Sequence, residues 1–510
     1  MRSRLVVPLV VALIVAIGGG IWASVALTRD SSSPSTSSGA RLIEPTSALV
    51  ARTEDRRQVA GSKLRDLTLT AAPAKIDLGD RIVNTWAFDG KVPGPTLRVN
   101  AGDVVRAQVV NDLPADLTVH WHGIALRNDM DGVPDLTQKA IAPGSSFTYE
   151  FTAPDPGTYF YHPHTGTQLD RGLYGALVVD DPTQPAADTD IPLLLDDWID
   201  GTGQDPDDVM TDLEDGMAGM DMSDASGDDS GMDGMDMGGS SDSPLGADIA
   251  DVQYPLYVVN GRAASDPRVY PVGAGETVRL RLINAASATP FRVAFGGGRM
   301  TVIATDGFPV QPVETDGLLI GMGERYDVEV IVPRQGSFPL VAAAEGQGMQ
   351  GLMVLRAGAG KLPSPDVHPS ALDGELLTLD QLKAAPEVAL PAGSPDRTYK
   401  VDLSGSMAAF DWGITATEKG GTTLPVRAGE RVRLVLRNTT AMWHPIHLHG
   451  HTFQVVTEDG TGPRKDTVVM TPKSTITIEL IADNPGQWAL HCHNIYHAEA
   501  GMVTTLNYLA

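Results

Sequence analysis

Twelve residues near the C-terminus, His491 to Met502 (HCHNIYHAEAGM), bring one thiol, three imidazoles and one thioether together. Cys492 is the only cysteine of the chain, so it cannot form an intramolecular disulfide. A soft thiolate with imidazoles and a more distant methionine is the donor set of a blue-copper electron-transfer site. The spacing suits a loop between two strands, with Cys492 ending one, His497 in the turn and Met502 opening the next. Alternate side chains of a strand point to opposite faces. His491 and His493 therefore face away from Cys492 and can serve a second metal centre while Cys492 serves the first.

Three further stretches carry histidines: HWHG at 120–123, HPH at 162–164 and HPIHLHGH at 444–451. Ten of the twelve histidines belong to this pattern, while His451 and His368 stand outside it and read as ordinary packed or solvated side chains. One His-x-His is a weak sign, because two imidazoles facing the same way from a strand bind zinc as readily as copper. Four such pairs, one of them straddling the sole cysteine, are a strong one.

The elements that position these residues are legible as a repeat. Residues 98–111 (RVNAGDVVRAQVVN), 271–284 (PVGAGETVRLRLIN) and 425–438 (PVRAGERVRLVLRN) share a turn centred on Ala-Gly-Asp/Glu and an alternating strand ending at Asn. A second repeat, PGTYFYHPH at 156–164 and PGQWALHCH at 485–493, links the outer copies, and the middle copy (GSFPLVAAAEG from Gly336) has no histidine there. Short alternating apolar runs between Gly/Pro-rich turns indicate an all-β fold. The 510 residues have room for roughly three domains of about 150 residues. We place three β-sandwich domains at 61–185, 248–360 and 395–510, with a linker at 361–394. A metal centre shared between the first and third domains follows, with the second as spacer.

A formal charge of −26 argues against nucleic acid and favours cationic partners. At the N-terminus, Arg2 and Arg4 precede an uncharged, mostly apolar run from Leu5 to Leu27. Residues 1–28 read as a signal peptide, with a cleavage site near Ser24-Val25-Ala26, or as a membrane anchor. Residues 29–60, Ser-rich at first, read as a flexible linker. The remainder then lies outside the cytoplasm, in the periplasm or at the cell surface.

With these motifs in this order, the chain resembles the multicopper oxidase family, in its three-domain bacterial branch of laccases and copper-efflux oxidases. The resemblance implies three consecutive cupredoxin-like Greek-key β-sandwich domains and four copper ions: one type 1, one type 2 and a type 3 pair. Carried over by motif position, type 1 copper takes His444, Cys492 and His497, with Met502 as axial ligand. Type 2 takes His120 and His447. The type 3 pair takes His122, His162 and His493 on one ion and His164, His449 and His491 on the other. Cys492 with His491 and His493 then bridges the centres. Single electrons enter from Cu(I) or phenolic donors, and O2 is reduced to water. Asp131, nine residues after His122, stands where the family carries a proton-relay acid. The residue after the type 1 histidine, often acidic in copper-efflux oxidases, is Ala498, with Glu499 next.

Between Gln204 and Asp242 the composition changes. Met210, Met217, Met220, Met222, Met232, Met235 and Met237 lie among thirteen Asp/Glu residues, and no lysine or arginine occurs from Gly172 to Gly261. With few large apolar residues, 205–242 reads as a disordered insert without a packed face. Thioethers favour Cu(I) and carboxylates attract cations, so the insert reads as a copper-gathering segment. Met442 matches a methionine of the cuprous-ion site in copper-efflux oxidases, and Thr440 stands where an acidic partner is expected. Met349 and Met353 read as core. With the resemblance, these features imply an exported oxidase of Cu(I) and/or phenolic donors that reduces O2 to water in copper tolerance, with a laccase-type phenol oxidase or a non-catalytic copper-binding protein as alternatives.

Overall fold

The computed structural model describes residues 41–58, 61–183, 188–218, 243–416, 422–458 and 460–510. Its strands form six sheets, two for each of three sandwiches. One apolar core runs through the second and third sandwiches, and another fills most of the first.

The repeated unit sets the plan. Its glycines, Gly102, Gly275 and Gly429, sit at φ +85°, +82° and +87°, a turn conformation open to a residue without Cβ. The strands that follow are Val104–Asn111, Thr277–Asn284 and Arg431–Asn438. Each pairs in parallel with the first strand of its own domain: Leu64–Asp77, Thr189–Trp198 and Arg397–Ser404. The closing asparagines are buried. The side-chain amides of Asn111, Asn284 and Asn438 each donate to backbone carbonyls of nearby loops, and each Oδ1 accepts the amide two residues on. A buried amide is stable only when such bonds are made, which accounts for an Asn closing all three copies.

The second domain starts earlier than expected. Thr189–Trp198 lies inside its seven-stranded sheet, with Thr189 opposite Val278. The boundary therefore falls near residue 189 instead of 248, and the Met/Asp-rich stretch is an excursion within this domain. No turn repeat marks that first strand, so it passes for the tail of domain one.

Two stretches read as linkers are ordered in part. Within 29–60, helix α1 (Ala48–Arg57) is capped by Ser47. Buried Glu54 accepts the Thr152 amide of domain one at 2.6 Å. Leu42 forms an isolated antiparallel bridge with Leu509, just past the final strand (Val503–Tyr508), and the Ile43 amide donates to the Tyr508 carbonyl. Burial of Ile43 and Val50 holds this clamp between the outer domains; two apolar residues are too few to stand out as periodicity. Within 361–394, Leu376–Leu377 joins a sheet of the second domain beside Gly317–Ile320, and Leu372 and Leu382 are buried.

The insert does not begin unpacked. Helix α2 (Pro206–Ala218) buries Val209 and lays Met210 and Leu213 against the core. These three residues fall on one helical face, a stripe hidden in the sequence by the acidic residues around it. Asp207 and Asp208 suit the positive helix start, and Arg171 holds Asp205 and Asp207 at 2.6 and 2.9 Å. Met217 falls in the last turn. Met220, Met222, Met232, Met235 and Met237 lie outside the described residues, as does the N-terminal apolar run. Among the described residues no helix is long and apolar enough to cross a membrane.

Candidate metal centres

Four strands carry the histidines: His120–His122 and Gly157–His162 in domain one, His444–Leu448 and Gln487–Cys492 in domain three. His120 lies opposite His162, and Ile446 and His447 lie opposite Cys492 and His491. Strand alternation thus sends Cys492 to one side and its two histidine neighbours to the other. Asn494 caps the helical turn α3 (Ile495–Glu499), which delivers His497 back to Cys492.

In the cysteine pocket, His444 Nδ1 and His497 Nδ1 are 3.1 Å apart and Cys492 Sγ is 3.8 Å from each. Asp251 Oδ2 lies 2.8 Å from His497 Nε2. That contact lacks hydrogen-bond alignment, and His497 Nε2 is otherwise buried without a partner. Thr440 Oγ1 donates to Asn438 Oδ1 and lies 2.8 Å from His444 Nε2, so it accepts there and His444 Nδ1 is a bare lone pair. A triangle with these sides has its centre about 2 Å from each corner, the length of a metal bond to imidazole or thiolate. Burial pushes the Cys492 thiol up from its ordinary value. A cation at that centre is what would make the thiolate stable. Met502 is buried beside the pocket, its amide donating to His497 and its carbonyl accepting from Cys492.

On the other side the remaining histidines converge. His122 stacks on His447 and His120 on His449, both at 3.8 Å between ring centres. His491 Nε2 lies 3.0 Å from His449 Nε2 and 3.5 Å from His164 Nε2. His449 Nδ1 faces Asp131 Oδ2 at 2.9 Å, and His491 Nδ1 faces the Cys492 carbonyl at 2.7 Å. Both protons are thereby placed on Nδ1, leaving two bare Nε2 atoms that repel unless a cation lies between them. His120 Nε2, His122 Nδ1, His162 Nε2, His447 Nε2 and both nitrogens of His493 are buried without a protein partner, a condition that native interiors rarely tolerate. Donor atoms of His164, His449 and His491 lie within 4.8 Å of one another, as do those of His120, His122 and His162. The His493 ring stands 5.0 Å from His122 and 5.2 Å from His162. Burial, then the neighbouring His447, pushes His491 down to about 3. Burial likewise lowers His122, His162, His164, His449 and His493. Neutral imidazole is the metal-binding form. The donor set fits transition-metal ions on both sides.

Two buried carboxylates orient this cluster. Asp131, singled out by sequence, bonds His449, and its backbone carbonyl lies 2.8 Å from His120 Nδ1. Asp466 was not foreseen. Its Oδ1 lies 3.2 Å from His122 Nε2, and its carbonyl accepts from His447 Nδ1 at 3.0 Å. Burial opposes its ionisation, but the Arg325 guanidinium and the His447 contact outweigh this and hold the carboxyl well below the usual range. No spacing rule ties residue 466 to the histidine motifs, and Arg325 comes from the histidine-free domain. Asp251 was equally invisible, since it arrives from the return limb of the insert.

The other residues singled out by sequence are placed as follows. Met442 is buried near His444 in sequence, and Thr440 bonds His444 in place of an acid. His451 is packed against Tyr508 at 2.6 Å, and exposed His368 pairs with Asp373. Met353 is core, but Met349 is 43% exposed, so the core reading holds for only one of the two. Met349 sits in the loop before its strand, where alternation does not apply. A cavity of about 30 Å³ is lined by His162, His164, His491, His493, Ala498 and Glu499, among others.

Comparison with known proteins gives a consistent picture. Family models described as multicopper oxidase match residues 71–184, 190–358 and 394–509. The chain is 44% identical to the multicopper oxidase MmcO of Mycobacterium tuberculosis, over 97% of this chain and 96% of that protein. It is 29% identical to a copper resistance protein A homolog of Pseudomonas syringae pv. tomato, over 86% and 91%. A multi-copper oxidase structure from Pseudomonas thermotolerans matches with a TM-score of 0.66 at 26% identity, covering 88% of this chain and all of that one.

Proposed function

Because this chain belongs to the multicopper oxidase family and is an oxidase that uses copper cofactors, we propose that it is an exported cuprous oxidase of copper tolerance. It takes single electrons from Cu(I), with phenols as secondary donors. Copper ions bound at the two centres would supply one-electron oxidation of the donor and four-electron reduction of O2 to water. We assign the mononuclear type 1 site to His444, Cys492 and His497, which would hold the copper, with Met502 as a fourth donor. Type 2 falls to His120 and His447. The type 3 pair falls to His122, His162 and His493 and to His164, His449 and His491.

The chain's own residues bind, orient and admit. Cys492 stands between His491 and His493, so one tripeptide joins the two centres covalently. The cavity of about 30 Å³ at the cluster admits one small molecule such as O2 or water. Water formation consumes protons; Glu499 lines that cavity, one residue past Ala498, and is the acid placed to deliver them. Asp131 holds the proton of His449. Export rests on Arg2, Arg4 and the apolar run to Leu27.

One observation carries the cuprous reading: Asp251 Oδ2 on the outer nitrogen of His497, 2.8 Å away. It puts a buried carboxylate beside the mononuclear site, nine residues past the end of the Met/Asp-rich insert, and a carboxylate there favours a cation over a neutral phenol. Oxygen uptake by the copper-loaded protein, with Cu(I) and a simple phenol at matched concentrations, tests it. Faster turnover with Cu(I) is expected. A faster phenol would make the protein a laccase, and no uptake with either would leave only copper binding.

A further inference from the structure

We propose that Arg325, from the domain that supplies no histidine, is a positioning residue of the copper cluster, acting through Asp466. The inference rests on the ligand assignment above. Arg325 is wholly buried and reaches all three domains. Its Nη1 and Nη2 grip Asp466 Oδ1 and Oδ2 at 2.7 and 2.6 Å, Nε donates to the Thr158 carbonyl at 3.0 Å, and Nη1 also donates to Gly323 at 3.1 Å. Space for this fork is built in. A Cβ at Gly123, the last residue of HWHG, would stand 2.3 Å from Arg325 Nη2 and 2.7 Å from Asp466 Oδ2.

The consequence lies in which nitrogen of each imidazole keeps its proton. Asp466 Oδ1 accepts from His122 Nε2, and the Asp466 carbonyl accepts from His447 Nδ1. The nitrogens left over, His122 Nδ1 and His447 Nε2, are the very atoms that are buried without partners. Asp466 thus selects the ligating nitrogen in two rings, one in each outer domain. The carboxylate holds that job for His122 only while it stays fixed in place. The two-pronged guanidinium fixes it, and the Asp306 carboxylate of the same domain receives the Asp466 and Thr467 amides at 3.2 and 3.1 Å. Removing one member of a buried charge pair strands the other, and a stranded Asp466 turns away from His122.

The test uses the full chain loaded with copper. Asp466→Asn presents an amide N–H to His122 Nε2 and forces its proton onto Nδ1; Arg325→Met strands the carboxylate; Arg325→Lys restores charge without the fork. Copper retention against a chelator, the type 2 electron paramagnetic resonance signal and the blue absorption are read side by side. Loss of partners that orient metal ligands weakens metal binding by about 10–100-fold. Asp466→Asn and Arg325→Met are expected to lose cluster copper by that factor, with the type 2 signal lost or shifted and the blue absorption intact. Arg325→Lys is expected in between. Glu324→Gln serves as control: Glu324 is buried beside Arg325, bonds Lys465 and the Gly321 amide, and touches no histidine. It should leave the type 2 signal alone. Unchanged copper and spectra in Asp466→Asn and Arg325→Met would overturn the proposal. So would equal loss of the blue and type 2 signals in all variants including Glu324→Gln, which would mean general destabilisation. A wild-type protein without a type 2 signal would instead overturn the ligand assignment.

Discussion

The two sides of the strand ending at Cys492 are built on different principles. The cysteine pocket takes its three donors from one domain, His444 on a strand and His497 on the next helical turn, and only its outer edge is closed by a neighbour, Asp251. The histidine cluster is a seam. Its rings come from domains one and three, and its two orienting carboxylates bind across that seam, Asp131 to His449 and Asp466 to His122. A centre made within one sandwich survives small shifts between domains, whereas one made between sandwiches does not. That explains the buried charge of residues 306, 325 and 466 and the α1 clamp beside the seam.

The largest effect separates the two sides outright. Cys492→Ser removes the only thiolate, and we expect the blue thiolate-to-copper absorption and steady-state donor oxidation to vanish. The type 2 signal should persist, because serine leaves the backbone and the faces of His491 and His493 in place. Loss of both signals together would show that the centres are not independently built.

Acid should attack the seam hardest, since most of the depressed histidines lie there, with His444 of the pocket depressed by burial as well. In the copper-free protein, burial depresses the histidines named above, so the unfolded chain binds protons below pH 6.5 that the folded chain does not. Stability from this source is full above about pH 6.5 and is lost as pH falls toward the depressed folded values. For His491, lowered to about 3, the loss by pH 5 is about 2 kcal/mol. The melting temperature of the copper-free protein should fall steeply between pH 6.5 and 4, and copper loading at pH 7 should raise it. A flat profile over that range would contradict neutral buried imidazoles.

Asp131→Asn sharpens the contrast within the cluster. The amide presents N–H to His449 Nδ1, pushes the ring proton onto Nε2 and removes that lone pair from the cluster. Cluster copper retention should fall by about 10–100-fold, with the blue absorption unchanged. A variant that keeps all its copper and slows only proton-limited oxygen reduction would mark Asp131 as a proton donor without an orienting role.

The sequence reveals the pocket more fully than the seam, and the reason is physical. Strand alternation and a one-turn return are local, so HCHNIYHAEAGM specifies which side each donor takes. The three Ala-Gly-Asp/Glu turns expose the repeated sandwiches because a left-handed turn demands glycine at the same place in each copy. Asp466, Arg325 and Asp251 are meaningful only once distant strands are docked: residues 122 and 466 touch across the domain interface with no common period. The start of domain two escaped for a related reason, since Thr189–Trp198 has no turn repeat before it. Helix α2 escaped because Val209, Met210 and Leu213 are sparse among acids.

The smallest effect concerns only the pocket. Helix α2 is packed through Val209 and pinned by Arg171, so a deletion that spares the fold must begin after it. Removing 219–242 and joining the ends with a short Gly/Ser bridge takes out Met220, Met222, Met232, Met235 and Met237 while keeping Asp251 on His497. If those thioethers and carboxylates gather Cu(I), the KM for Cu(I) should rise severalfold while the KM for a phenol, the blue absorption and the melting temperature stay put. Equal changes for both donors would mean that the segment shapes the entrance without attracting copper. A segment that raises the local concentration of one donor must act on KM and spare kcat, because His444, Cys492 and His497, to which we assign the electron-accepting copper, are untouched.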